Sequence, residues 1–167
     1  MKVFIIAAVT ADGFIGADKT HSSLEWSTQA DKRFFVKTTK DAGVTVFGRT
    51  TFETFNRALP GRRTIVLTTQ PQSITLEGIE PTSESPAALV SRLRDEGVEQ
   101  LAVCGGSTVY GQFLEANLVD ELFLTVHPTV FGAGVPLFNQ PIHRNLTLLT
   151  CKDIGDQTIL LHYKVIT

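Results

Sequence analysis

Short apolar runs without alternation recur along this chain, separated by segments whose apolar residues fall at helical spacing. "KVFIIAAV" (2–9) has no polar position after Lys2, as a strand buried on both faces requires. A Gly-containing loop follows to about Glu25, and Thr28 offers an N-cap for a helix to about Thr39. "VTVF" (44–47) predicts a strand, "TTFETF" (50–55) a short helix and "RTIVLTT" (63–69) another strand. Ser85-Pro86 places a capping residue before a proline at the first helical position, opening a helix to about Glu96. "QLAVC" (100–104) then reads as a strand, "STVYGQFL" (107–114) as a helix and "ELFLTVHPTV" (121–130) as a long strand. The tail, "NLTLLTCKD" and "QTILLHYKVI", predicts two strands joined by the turn residues of "DIGD".

This alternation implies an α/β fold with a mostly parallel sheet covered by helices on both faces, and an antiparallel edge at the C-terminal end. No repeat or linker divides the chain, so residues 1–167 are expected to form a single domain. In such sheets ligands collect beyond the carboxyl ends of the strands. Three strand ends carry glycine here: "ADGFIG", "FGRTTFE" and "CGGSTVYG".

Composition narrows the partners. The chain is 43% hydrophobic and 19% charged, as soluble globular proteins are, and its net charge of -2 argues against nucleic acid or an anionic membrane as partner. "MKVFIIAAV" is too short to span a bilayer and leads into "TADGFIG" without a small-residue cleavage site, so a first strand is expected rather than a leader. Cys104 and Cys151 make neither a disulfide framework nor a zinc site, which fits a reducing cytoplasm. The four histidines (His21, His127, His143 and His162) have no metal spacing and read as structural or solvated; no metal is expected.

In "FGRTTFE", Gly48-Arg49 joins a strand to a helix, and Thr50-x-x-Glu53 fits a capping box. A helix start with an arginine suits phosphate, although Thr50 acting only as a cap beside a solvated Arg49 explains the stretch as well. "CGGSTVYG" repeats the arrangement, with Gly105-Gly106 ahead of Ser107 or Thr108 at a helix start. It is neither a dinucleotide fingerprint nor a Walker A loop. Together the two turns suggest a long ligand with several phosphates. Asp31 lies between Trp26 and the Phe34-Phe35 pair. Thr28-x-x-Asp31 is itself a capping pattern, yet Asp31 and Phe35 share a helix face, which would turn the carboxylate toward any cleft that Phe35 lines. Arg62, after the Pro60-Gly61 turn, is a plain surface residue or a rim cation for a carboxylate. Ser107 lacks the setting of a hydrolase nucleophile.

In series, "IIAAVTADGFIG", Trp26 with Asp31 five residues later, "FGRTTFE", "LPGRRTIVLTT", "GGSTVYGQFL" and "LFLT" resemble the dihydrofolate reductase family over nearly the whole chain. The resemblance implies a three-layer sandwich around an eight-stranded sheet, and NADPH-dependent reduction of dihydrofolate by a monomer or homodimer. Asp31 matches the acid that binds the pterin ring, with Trp26 beside it. Ile6, Ala8, Phe35, Leu59 and Thr125 match pterin-pocket positions, and Arg62 matches the partner of the substrate's glutamate carboxylate. For the cofactor, the resemblance implies Ala8, Ile15 and Gly16 near the nicotinamide, and Gly48, Arg49, Thr50, Thr51, Leu67, Thr68 and Thr69 along the phosphates and adenosine. Cys104, Gly105 and Gly106 match further cofactor-binding positions, with a cis peptide at Gly105-Gly106, and Ser107, Thr108, Val109 and Tyr110 would hold the pyrophosphate. Residues 12–25 would form a lid. "GAGVPLF" (132–138) instead resembles the riboflavin-biosynthesis reductase domain, which acts on a ribosylated aminopyrimidine. A non-catalytic NADPH-binding module is the third expectation.

Overall fold

The computed structural model describes residues 1–166. β1 (Lys2–Thr10) lies inside the sheet, and its side chains divide by parity. Val3, Ile5, Ala7 and Val9 enter one apolar cluster, while Phe4 and Ile6 enter another. Both faces of the strand are buried, which is why the sequence shows a run rather than an alternation. The following segment is not plain loop: β2 (Phe14–Gly16) and the one-turn helix α1 (Ser23–Trp26) interrupt it. A capping box opens α1, with Ser22 accepting from the Leu24 N–H and Glu25 accepting from the Ser22 N–H.

α2 (Gln29–Ala42) is capped by Thr28 as expected and runs past Thr39 until Gly43, in the left-handed region, closes it. Its start is also pinned from the far end of the chain. The Ala30 N–H donates to Asp156 at 2.8 Å, and the Thr28 and Thr158 hydroxyls lie 2.8 Å apart. β3 (Val44–Gly48) leads directly into α3 (Arg49–Glu53), two residues earlier than the Thr50 cap predicted. β4 (Arg63–Leu67) ends before Thr68 and Thr69, and a 3-10 turn at Pro71–Ser73 precedes β5 (Ile79–Thr82), a strand the pattern did not announce. α4 (Pro86–Asp95) starts at the expected Ser85 cap, whose hydroxyl accepts from the Ala88 N–H.

β6 (Gln100–Val103), α5 (Ser107–Glu115) and β7 (Glu121–His127) follow, the last stopping short of the expected Val130. β8 (Val135–Pro136) pairs with β2 in a small separate ribbon. β9 (Asn145–Asp153) and β10 (Ile159–Ile166) form the terminal hairpin.

The main sheet has eight strands in the order β5-β4-β3-β6-β1-β7-β10-β9. All neighbours from β5 to β7 are parallel, and β10 runs antiparallel to both β7 and β9. Leu89, Val90 and Leu93 of α4, with Val109 and Phe113 of α5, cover the face that takes the odd residues of β1. Ala42 of α2 and Phe52 of α3 cover the other face. The result is the expected α/β three-layer sandwich. Among the described residues no helix is long and apolar enough to cross a membrane.

Candidate active site

The carboxyl ends of β3 and β6 are locked side by side. The Cys104 N–H donates to the Val46 carbonyl at 2.9 Å, and the Gly48 N–H donates to the Gly105 carbonyl at 2.6 Å. The Gly105-Gly106 peptide is cis, and Gly105 has φ +126°. Side chains would not fit between these turns. A Cβ on Gly48 would lie 2.8 Å from Val109 Cγ2, and one on Gly106 would lie 2.7 Å from Thr51 Oγ1. Glycine at both positions therefore lets two helix starts converge on one space.

Neither helix start has a side-chain cap. Gly48 caps α3, which corrects the expectation of a cap from Thr50, and Gly106 caps α5, which starts at Ser107 as expected. Thr50 falls inside the first turn, and Glu53 accepts from Arg49 Nε at 2.7 Å instead of closing a capping box. Ser107 donates to the Pro136 carbonyl at 2.8 Å, and Thr108 accepts from Asn139 at 2.7 Å. The uncapped first-turn N–H groups of α5, with Arg49 beside them, suit an anionic ligand. In this structure the exposed Arg49 side chain is engaged by Glu53 and donates to the Ser73 hydroxyl at 2.7 Å.

These turns border a cleft of about 1040 Å³. Of the substrate and cofactor residues expected from the sequence, all line it except Trp26 and Thr125. Thr68, Thr69 and Arg49 border it with the glycine turns, and Asp31, Phe35, Leu59 and Arg62 border it with β1 residues Ile6 and Ala8. Its volume reaches the upper end of ordinary small-molecule sites, enough for two ligands bound together.

Asp31 is buried, and its carboxylate does not serve its own helix. Thr28 Oγ1 accepts from the Asp31 N–H at 3.3 Å, but the reciprocal bond of a capping box is missing. Asp31 Oδ1 instead accepts from Thr125 Oγ1 of β7 at 2.5 Å. Phe35, one turn later, lines the same cleft, as the shared helix face requires. Trp26 meets the His127 ring edge-on at 5.0 Å and the Phe131 ring at 5.4 Å. At the rim, Arg62 donates from Nη1 to Thr39 Oγ1 at 2.8 Å and from Nε to the Pro60 carbonyl at 3.2 Å. Partial burial lowers its pKa, yet a guanidinium stays charged. Burial pushes both the Cys104 thiol and the Tyr110 phenol up, and Tyr110 donates to the Ile6 carbonyl at 2.9 Å.

The segment expected to act as a lid is tied to its neighbour by the β2–β8 ribbon and by Asp12, which accepts from the Gly132 N–H at 2.7 Å. Val135 and Pro136 of that neighbour line the cleft too, and a Cβ on Gly134 would run into the Gly16 carbonyl oxygen. Sequence reasoning missed Lys32 and Arg57 in the lining, since isolated cations carry no pattern. It also passed over His127, which is buried next to Asp31 rather than solvated. Thr125 and His127, two polar residues at i, i+2 on an otherwise apolar strand, were the available sign.

The family model for dihydrofolate reductase matches residues 2–140. Dihydrofolate reductase type 3 of Salmonella typhimurium is 37% identical over 125 residues, covering 75% of this chain and 71% of that protein. The dihydrofolate reductase of Enterococcus faecalis, solved with NADP(H), superposes with a TM-score of 0.75 at 23% identity over 99% of this chain and 97% of that one. The diaminohydroxyphosphoribosylaminopyrimidine deaminase/5-amino-6-(5-phosphoribosylamino)uracil reductase of Thermotoga maritima gives a TM-score of 0.80 at 17% identity, over 99% of this chain and 56% of that one. At these identities the two structures establish the fold. Family model and Salmonella relative go further: the chain belongs to the dihydrofolate reductase family of oxidoreductases.

Proposed function

We propose that this chain reduces 7,8-dihydrofolate to 5,6,7,8-tetrahydrofolate with NADPH. The observation that carries the reading is Asp31: a buried carboxylate, oriented by Thr125, at a cleft whose nearby walls are the apolar Ile6, Phe35 and Leu59 and whose rim holds Arg62. A flat, neutral pterin has the shape for such a site, and its N3–H and 2-amino group would donate to Asp31. Arg62 would take the α-carboxylate of the substrate's glutamate, as a fixed guanidinium does well.

The uncapped start of α5, the nested glycines, Arg49 and the Thr68 and Thr69 hydroxyls fit a dinucleotide carrying an additional phosphate. These residues would hold NADPH, whose chemistry there would be hydride donation to the pterin ring. The chain's own share is to align the ring, fix its tautomer through Asp31 and exclude water while N5 gains a proton.

A second reading is reduction of a ribosylated, phosphorylated aminopyrimidine. It is favoured by "GAGVPLF", whose Gly134, Val135 and Pro136 border the cleft beside Gly16. A silent NADPH-binding module is a third, but it gives no reason for the Asp31–Thr125 bond and Arg62 at the other end of the cleft. Loss of NADPH absorbance with purified protein separates the three. Oxidation with dihydrofolate and none with the pyrimidine is expected; the reverse, or tight NADPH binding without oxidation by either, overturns the proposal.

A further inference from the structure

Two buried side-chain nitrogens have no hydrogen-bond partner among the described residues: Nε2 of His127 and Nε1 of Trp26, whose rings meet edge-on. His127 is 1% exposed, and its Nδ1 lies 2.9 Å from the Thr125 carbonyl oxygen. A carbonyl only accepts, so Nδ1 carries the hydrogen. In the neutral ring Nε2 is then a bare lone pair, and it lies 4.0 Å from Asp31 Oδ2. Two acceptors placed together in a buried site repel each other, whereas one proton bound to either turns the contact into an attraction. Asp31 Oδ1 is already held by Thr125, which leaves Oδ2 to take part.

We propose that Asp31 and His127 act as one buried acid–base unit that takes up a single proton and holds it as a close charge pair, so that His127 sets the charge that Asp31 presents to substrate. This rests on the reading of Asp31 as the substrate-binding carboxylate. The proton is taken from solvent and returned to it, and no other reactant is needed. With the proton the pair is neutral overall; without it the pair carries one negative charge. His127 does not reach the cleft lining and is a positioning residue that acts through Asp31.

Most titratable groups on the surrounding elements are engaged elsewhere. Asp12 accepts from Thr10 and from the Phe131 and Gly132 amides, Asp156 from the Ala30 amide, and Glu25 from the Ser22 amide. His21 accepts from the Ala17 amide, and Tyr110 donates to the Ile6 carbonyl. Lys32, next to Asp31 in α2, lines the cleft. Of these surrounding groups, only Asp31 lies opposite Nε2 as a partner for the proton. Titrations within such a pair belong to the pair and not to one member.

The test is a histidine ring-carbon NMR titration of the ligand-free protein, wild type beside Asp31→Asn. His127 is assigned by His127→Gln or, should that variant not fold, by elimination with Gln at His21, His143 and His162. If the two groups form one unit, removing the anionic partner should change the His127 ring signal's pH response and leave the other three in place. An identical His127 midpoint in both proteins, or no titration in either, overturns the pair. In a folded His127→Gln, the acid limb of kcat/KM for dihydrofolate should shift to higher pH, because Asp31 has lost its cationic neighbour; an unmoved limb also counts against the pair. Absence of dihydrofolate turnover in wild type would instead overturn the proposed function, and the titration would still decide the pair.

Discussion

Thr125 Oγ1 donates to Asp31 Oδ1 at 2.5 Å, joining β7 to the first turn of α2 across 94 residues of sequence. That bond turns a carboxylate that would otherwise serve its own helix toward the cleft. The hydroxyl has the Ala7 carbonyl as a poorer alternative at 3.4 Å.

Thr125→Val keeps the shape of the side chain and removes the donor. A hydrogen bond to a charged group contributes about 1.5–3 kcal/mol, so kcat/KM for dihydrofolate should fall roughly tenfold to a hundredfold. Thr125→Ser should recover most of it. Steady-state kinetics of the two variants check this, and a Val variant with wild-type kcat/KM would remove Thr125 from the site.

Arg62→Leu should raise KM for dihydrofolate by about tenfold or more and leave the KM for NADPH unchanged, since it deletes a charge-assisted contact to one ligand only. If the variant weakens NADPH and spares dihydrofolate, Arg62 belongs to the other end of the cleft.

Asp12 offers a pH dependence whose sign is fixed. Its hydrogen bond from Thr10 is the largest influence and, with those from the Gly132 and Phe131 amides, holds its carboxyl below the usual range against the opposing effect of desolvation. A group with a depressed folded pKa stabilises the fold above its unfolded value, about 3.9, and that stability is lost as pH falls through the folded value. Asp12→Asn should therefore flatten the acid limb of stability below about pH 4. Solvent screening keeps the effect small. Urea midpoints measured from pH 2 to 6 test it, and parallel limbs in the two proteins would contradict it.

The two cysteines should differ sharply in reactivity. Cys151 is exposed, whereas Cys104 is buried and its thiol is pushed up by desolvation. At pH 8 a thiol reagent should modify one cysteine quickly and the second only in denaturant. Cys151→Ser should abolish the fast phase; two fast thiols in the native protein would show that β6 opens at its carboxyl end.

Much of this was readable in the chain because burial on both faces writes itself as unbroken apolar runs. β1, β3, β6 and the caps of α2 and α4 all follow that logic. β5 escaped it because an edge strand is only half-buried, and Pro81 within it argues against a strand. β2, β8 and α1 are too short to impose a period. At the site, glycine turns and the Trp26–Asp31 spacing pointed to the cleft, since turns need particular residues. The Thr125–Asp31 bond and the place of His127 depend on β7 packing beneath α2, a long-range pairing that local sequence does not encode.

Asp31→Asn, assayed beside wild type for NADPH oxidation with saturating dihydrofolate, bears on the proposed function with the fewest intermediates. Wild type should consume NADPH rapidly, and the variant should lose nearly all turnover while still binding NADPH. Turnover that survives the substitution, or a wild type that binds NADPH and leaves dihydrofolate unreduced, would contradict a folate reductase built on Asp31.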